Sequence, residues 1–492
     1  MDARVLRERT ETEEGFFSLS TSDQIVLHNR LSEALAKART SYPQGILTGL
    51  TVRVGPEIDP CRVVFASRQS EEDWFFMENQ DKEHTALGTL GCALSLQGSG
   101  TGRFEEIAAR WRKLSADAIG DRVDNGIDFV LAGGFAFAPD GGMSPHWSRF
   151  ASASMQVGEV TLARFGDSVR LTLASLVRPQ DDVSAIMARL VTRASSLRNS
   201  ALPTPAVGRQ YRIFQMNTSE DYEEAVSIAV ERIDMGTLEK VVLAREVCVE
   251  ASDVYDSAAI IGDLREHYPS CNIYGVGRGD NAFLGASPEL LIRREGAKVS
   301  TVSLAGSIRR SNDPTVDKDL GNELLNSAKN LQEQAIVTRW IERILRQHSD
   351  SCVVSADPVL IKTANIQHLF SPIQAHLSSP IGAVRLAGLL HPTPAVGGEP
   401  LSEAQILITS LEGMDRGWYA GAVGWTDTNE DGEFCVALRS ALVSGSVARC
   451  YAGVGVVRDS DPATELAETE VKLLAIMSVL TEHEDSLVHE AP

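Results

Sequence analysis

The alternation of apolar and polar residues along the chain changes period many times, and each change predicts an element. Residues 1–20 carry no sustained pattern and are expected to fray, whereas 23–38 repeats apolar positions at helical spacing (Ile25, Val26, Leu31, Leu35). Short β-type runs follow at 50–54, 61–66 and 73–77, separated by Gly, Pro and Asp turns. Residues 104–117 are amphipathic and predict a helix; 129–137, 151–157 and 168–176 predict strands. A polar, Pro-containing stretch at 200–209 reads as a linker, which divides the chain into 1–205, strand-rich and without a catalytic constellation, and 206–492. Beyond it the pattern predicts a helix at 221–233, a strand opening on Lys240, and strand, turn, strand over 282–292 with Glu289 just past the turn. A strand at 302–307, one long helix over 322–346 carrying Glu333, and a strand over 434–442 with Arg439 in its middle complete the series. The apolar positions of the long helix wrap much of its circumference, which predicts burial on more than one side.

The stretch 451–472 concentrates the most chemistry. It starts as an apolar run interrupted by Gly453 and Gly455, where backbone N–H groups are open to a ligand. Asp461 and Pro462 then form a helix start, with Asp461 as N-cap and Pro462 at the first helical position. Spacings of three and four put Glu465, Glu468 and Lys472 on one face of that helix. Hard divalent cations take oxygen ligands, and Mg²⁺ in particular uses one or two carboxylates plus substrate oxygens. The segment therefore predicts the floor of a Mg²⁺ site for a small anionic molecule.

Composition narrows the partners. The 492 residues carry a formal charge of −21, which disfavours nucleic acid and anionic membrane surfaces, since both reward lysine and arginine. Seven cysteines without CxxC spacing read as reduced thiols of a cytoplasmic protein. No HExxH pairing points to zinc, and neither a signal peptide nor a membrane-spanning run is expected. Singly, Lys240 reads as a strand end, Glu289 as a turn acid, Glu465 and Glu468 as acids favoured by the helix dipole, and His368 and His391 as structural histidines. Arg439 differs: a guanidinium among apolar strand residues needs a carboxylate, from protein or ligand.

Together the motifs are specific. They are Lys-Val-Val-Leu-Ala-Arg at 240–245, Ala-Ser-Pro-Glu at 286–289, Leu-Ala-Gly at 304–306 and Gln-His-Leu at 367–369. They continue with His-Pro-Thr-Pro-Ala-Val-Gly-Gly at 391–398, Arg-Gly-x-Tyr-x-Gly at 416–421 and Ala-Leu-Arg-Ser-Ala at 437–441, ending in the Ala-Gly-x-Gly and Glu-x-x-Glu-Thr of 452–469. In this order they resemble the chorismate-utilising enzymes, the anthranilate synthase component I-like family, over a little more than half of the chain. The resemblance implies an α+β fold, a large two-layer antiparallel β-sheet core with outer helices and the N-terminal region woven into the same body, in a monomer.

Within that family the resemblance is nearest to isochorismate synthases, isomerases that add water at C2 of chorismate and expel the C4 hydroxyl. Lys240 stands where they carry a lysine that activates water, a residue anthranilate synthases typically lack. Ala395 stands where amine-forming and many salicylate-forming relatives have threonine. Salicylate synthase and aminodeoxychorismate-type synthase are the alternatives, and isochorismate from such enzymes feeds siderophore, salicylate or menaquinone biosynthesis. The resemblance implies Lys240 as general base, Glu289 as general acid, and Glu333, Glu465 and Glu468 as ligands of Mg²⁺. It further implies that Gly306 and His368 line the ring of the substrate and that Ala305 and Ala395 are among the substrate-binding residues. Tyr419, Arg439, Lys472 and the amides of Gly453 and Gly455 are implied to hold its carboxylate. Two positions depart from the family pattern. Lys329-Asn-Leu-Gln-Glu-Gln334 replaces a more His-rich sequence around Glu333, and Leu466 replaces an aromatic residue.

Overall fold

A computed structural model describes residues 17–81, 84–121, 129–204 and 208–481. Two large antiparallel sheets dominate it, one of twelve strands and one of ten. The twelve-stranded sheet runs from Ile46–Val54 at one edge through Trp74–Asn79 and Asn272–Arg278 to Val447–Val456, Lys240–Ala251 and Gly398–Glu399 at the other. The ten-stranded sheet runs from Ser349–Val354 through Ile366–Leu377, Lys298–Arg309 and Leu290–Glu295 to Leu131–Phe135, Ala153–Val157 and Leu94–Gly98. Strands from both halves of the sequence pair directly: Met77 lies opposite Tyr274 in one sheet, and Gly134 opposite Val423 in the other.

One core fills the space between the sheets, where Tyr274, Phe283 and Val454 meet Phe135, Val423 and Phe434. A second core lies between the twelve-stranded sheet and outer helices: Leu27 and Leu31 from Thr21–Thr40, Ile260 and Leu264 from Ser257–His267, and Leu473 and Ile476 from Pro462–Leu480. Burial on both faces explains why strands such as Lys240–Ala251 read as continuous apolar runs instead of alternating.

Three expected elements differ. Residues 61–66 form a helix, Pro60–Ser67, because the Asp59 carboxylate caps the Cys61 N–H and Pro60 occupies the first helical position. The single helix expected over 322–346 is two, Pro314–Asn326 and Ala328–Arg346. Ser327 ends the first and caps the second, its hydroxyl accepting from the Asn330 N–H. The buried residues of the second helix, Glu333, Gln334, Ile336, Val337, Ile341 and Leu345, fall on one stripe. The run 434–442 is likewise split into Gly432–Val436 and Ser440–Ser444, which belong to different sheets. Part of the linker stretch, residues 205–207, lies outside the described residues. Among the described residues no helix is long and apolar enough to cross a membrane, and all seven cysteines are free thiols.

Candidate active site

The chain crosses between the sheets at two adjacent places, and each crossing carries a charged residue. Glu289 lies between Asn281–Ser287 in the first sheet and Leu290–Glu295 in the second; Arg439 lies between Gly432–Val436 and Ser440–Ser444. Hydrogen bonds lock the crossings together: Ser287 Oγ donates to the Val436 carbonyl at 2.6 Å, and the Val436 N–H donates to the Glu289 carbonyl at 3.0 Å. Arg439 is therefore not a mid-strand residue. It turns the corner in the left-handed region, at φ 51°, a conformation uncommon outside glycine.

Both residues face a cleft of about 520 Å³, lined also by Ala305, Gly306, Glu333, His368, Ala395, Tyr419, Gly453, Gly455 and Lys472. Arg439 Nη2 lies 3.2 Å from His368 Nε2, and burial together with the Arg439 charge holds His368 well below the usual imidazole range. The neutral ring is thus an acceptor for the guanidinium. Among the described residues no carboxylate forms a salt bridge with Arg439, which leaves its charge to an anion entering the cleft. Gly306 forms the bulge between Ala305 and Ser307 with φ +71°.

The glycines act by what they leave open. A Cβ at Gly455 would fall 2.7 Å from Lys240 Cε and nearer still to Glu333 Oε1; one at Gly453 would lie 3.1 Å from the Tyr419 hydroxyl. Their amides are directed by the ladder. In an antiparallel strand, successive residues turn their hydrogen-bonding groups to opposite sides. Val242 and Ala244, opposite Gly455 and Gly453, donate away from that pairing, to the Gly397 carbonyl and the Glu412 carboxylate. Gly453 and Gly455 accordingly point away from the Lys240 strand. The strand on their other side, Ser440–Ser444, ends opposite Tyr451.

The acids and lysines are matched. Lys240 Nζ, 0% exposed, sits 2.9 Å from Glu333 Oε1 without hydrogen-bonding geometry. It adjoins the cleft through Glu333 and Gly455 and is not part of its lining. Lys329 pairs with Glu465, and Lys472 Nζ lies 2.7 Å from Glu468 Oε1 and 3.0 Å from the Gly453 carbonyl. Ser307 Oγ donates to Glu468 at 2.6 Å. Lys472 foremost, with Ser307 and Lys329, outweighs burial and brings Glu468 down to about 2. Glu465 is pushed up by burial and by the Glu468 charge. Burial raises Glu289 to about 7 against the opposing charges of Lys240, Arg439 and Lys472.

The donor set suits a hard divalent cation: it is all oxygen, and Glu465 Oε2 is buried with no hydrogen bond of standard geometry. As arranged, no three acidic, His or Cys side chains among the described residues stand close enough to grip an ion. The lysines hold the carboxylates instead.

Two features escaped sequence reasoning. Arg416, inside a recognised motif but given no role, is buried with Glu412. It donates through Nε to Glu412 Oε2 (2.8 Å), through Nη1 to the Val396 carbonyl (2.8 Å) and through Nη2 to the Val242 carbonyl (2.8 Å). It thereby ties the Lys240 strand to the loop bearing Ala395. Lys329 was legible only as a departure from pattern, although its spacing of four from Glu333 places both on one helix face.

This site lies within a recognisable family. Residues 33–481 match the model of the chorismate binding enzymes, and the chain belongs to that family. It is 36% identical over 458 residues to the salicylate biosynthesis isochorismate synthase of Pseudomonas aeruginosa, covering 92% of this chain and 94% of that one. It is 32% identical over 470 residues to the isochorismate synthase MenF of Bacillus subtilis, covering 94% and 98%. The fold matches the menaquinone-specific isochorismate synthase MenF of Escherichia coli with a TM-score of 0.75 at 24% identity, over 93% of this chain and all of that one.

Proposed function

We propose that the protein is an isochorismate synthase, an isomerase that converts chorismate to isochorismate. The observation that carries this reading is Glu289: a carboxyl buried at a sheet crossing, raised to about 7, in a cleft that also presents a guanidinium with no salt-bridge partner among the described residues. Such a carboxyl retains its proton near neutral pH and can give it to a departing hydroxyl. Relatives with nearly full-length coverage bear the same activity in their names.

In this mechanism Arg439, Tyr419 and the amides of Gly453 and Gly455 hold the enolpyruvyl carboxylate, and Gly306, His368 and Ala395 bound the ring. Lys240 takes a proton from the water that adds at C2. Glu289 donates its proton to the C4 hydroxyl, which leaves as water while the ring double bonds shift, so one water enters and one departs. Glu333, Glu465 and Glu468 would hold Mg²⁺, which when bound supplies positive charge to the ring carboxylate. The aliphatic stem of Lys472 and its bonds to Glu468 and Gly453 brace the glycine strand from the helix side.

Incubating the enzyme with chorismate and Mg²⁺ and separating products by chromatography tests this reading, with isochorismate as the expected product. Salicylate fluorescence in the same tube, or an amine product on adding ammonia, would reassign it to a sister activity. Lys240→Ala is expected to abolish turnover while chorismate still binds; retained turnover removes lysine from the reaction.

A further inference from the structure

Each of the three carboxylates in the cluster has its own lysine, and the three lysines are not equivalent. Lys240 is fully buried on a central strand. Lys472 is anchored twice, to Glu468 and to the Gly453 carbonyl. Lys329 is held by Glu465, and its side chain is 22% exposed, the most of the three. It also stands in the first turn of Ala328–Arg346, just after the cap at Ser327. The helix dipole disfavours a cation there, so the acids alone account for the ammonium's position. All three do act on it: Glu465 most, then Glu468 and Glu333.

We propose that the Lys329 ammonium is the resident cation of the acidic cluster, and that a hard divalent ion binds by displacing it from Glu465 toward solvent. This rests on the reading of Glu333, Glu465 and Glu468 as the metal-holding set. Lys329 and Lys472 already offset two of the three carboxylate charges, and Lys240 sits against the third. An incoming ion gains little from such a cluster until one lysine leaves, and Lys329 alone combines an exit to solvent with a single acidic anchor. The device keeps the carboxylates from repelling one another while no metal is present, and it weakens binding of the metal alone.

The test measures Mn²⁺ binding to the substrate-free full chain by electron paramagnetic resonance, for wild type, Lys329→Gln and Glu468→Gln. Removing the competing charge is expected to tighten Mn²⁺ binding by about tenfold or more in Lys329→Gln. The metal-free variant should melt below wild type and be restored by Mn²⁺. If Glu468→Gln loses binding while Lys329→Gln binds no better than wild type, the displacement idea is overturned and the metal-site reading stands. If Glu468→Gln binds as wild type does, the acid set is wrong and both fall. Should Lys329→Gln not fold, reductive methylation of wild type read by mass spectrometry decides: Lys329 is expected to label faster with saturating Mg²⁺, and an unchanged or slower rate overturns the proposal.

Discussion

A methyl group on Gly455 would stand 2.7 Å from Cε of Lys240, on the neighbouring strand and the same face of the sheet. The glycine is what allows Lys240 and Glu333 to meet beside the cleft. Gly455→Ala must push one or both aside, and a displacement of about 1 Å in such a site costs roughly a hundredfold in rate. We expect kcat/KM to fall by about that factor with a normal circular dichroism spectrum. Wild-type kinetics would show that the pair does not need this room.

Glu289 links activity to stability through its proton. Its folded value of about 7 lies above the unfolded value near 4.5, so the native state binds the proton more tightly. The neutral form is accommodated below about pH 4.5, and stability is lost as pH rises through 7. A rise of that size at about 1.4 kcal/mol per pH unit corresponds to about 3 kcal/mol at most. Glu289→Gln, neutral at every pH, is expected to match wild type in urea denaturation near pH 4 and to exceed it at pH 8, while losing turnover. Equal pH dependence of the two proteins would mean that the carboxyl is not held neutral. For wild type the rate should decline above pH 7 as the acid is lost.

Ala395 lines the cleft on the loop that Arg416 ties down through Val396. Ala395→Thr adds a hydroxyl and a methyl to the cleft wall and, on the proposed reading of this position, is expected to lower isochorismate formation by about tenfold or more. Product chromatography over a fixed time measures it, and an unchanged rate would show that this position does not select the nucleophile.

Arg416 and Glu412 form a buried pair whose remaining side-chain hydrogen bonds, among the described residues, go to main chain of the Lys240 strand and the Ala395 loop. Arg416→Met leaves the Glu412 charge buried alone and is expected to cost about 3–5 kcal/mol in chemical denaturation. Pairing it with Glu412→Met should recover part of that loss, because the orphaned charge is removed as well. A double variant no more stable than the single one would place the cost in lost main-chain bonds.

Much of the architecture was legible because local rules agreed with the final fold. The Asp461–Pro462 helix start, the strand opening on Lys240 and the helices near 23–38, 104–117 and 221–233 all stand close to where periodicity and capping put them. The misreadings share a cause. Asp59-Pro60 outweighed the β-type residues that follow it, and Ser327 broke a helix whose apolar pattern ran straight through.

By itself the sequence determined which residue types could do the chemistry: two candidate proton carriers, Lys240 and Glu289, and an oxygen-donor set in Glu333, Glu465 and Glu468. It also set their order along the chain, which carries the family. Only the tertiary structure decided what each of them meets. A run of apolar residues around Arg439 looks like one strand whether or not it changes sheets, because both sheets bury it equally. The left-handed corner at Arg439 lies between Ala437, which donates to the Gly421 carbonyl, and Ser440, which pairs with Tyr451. The matching of Lys240 to Glu333, Lys329 to Glu465 and Lys472 to Glu468 is decided in the same way, since charge pairing in a buried cluster depends on distance through space.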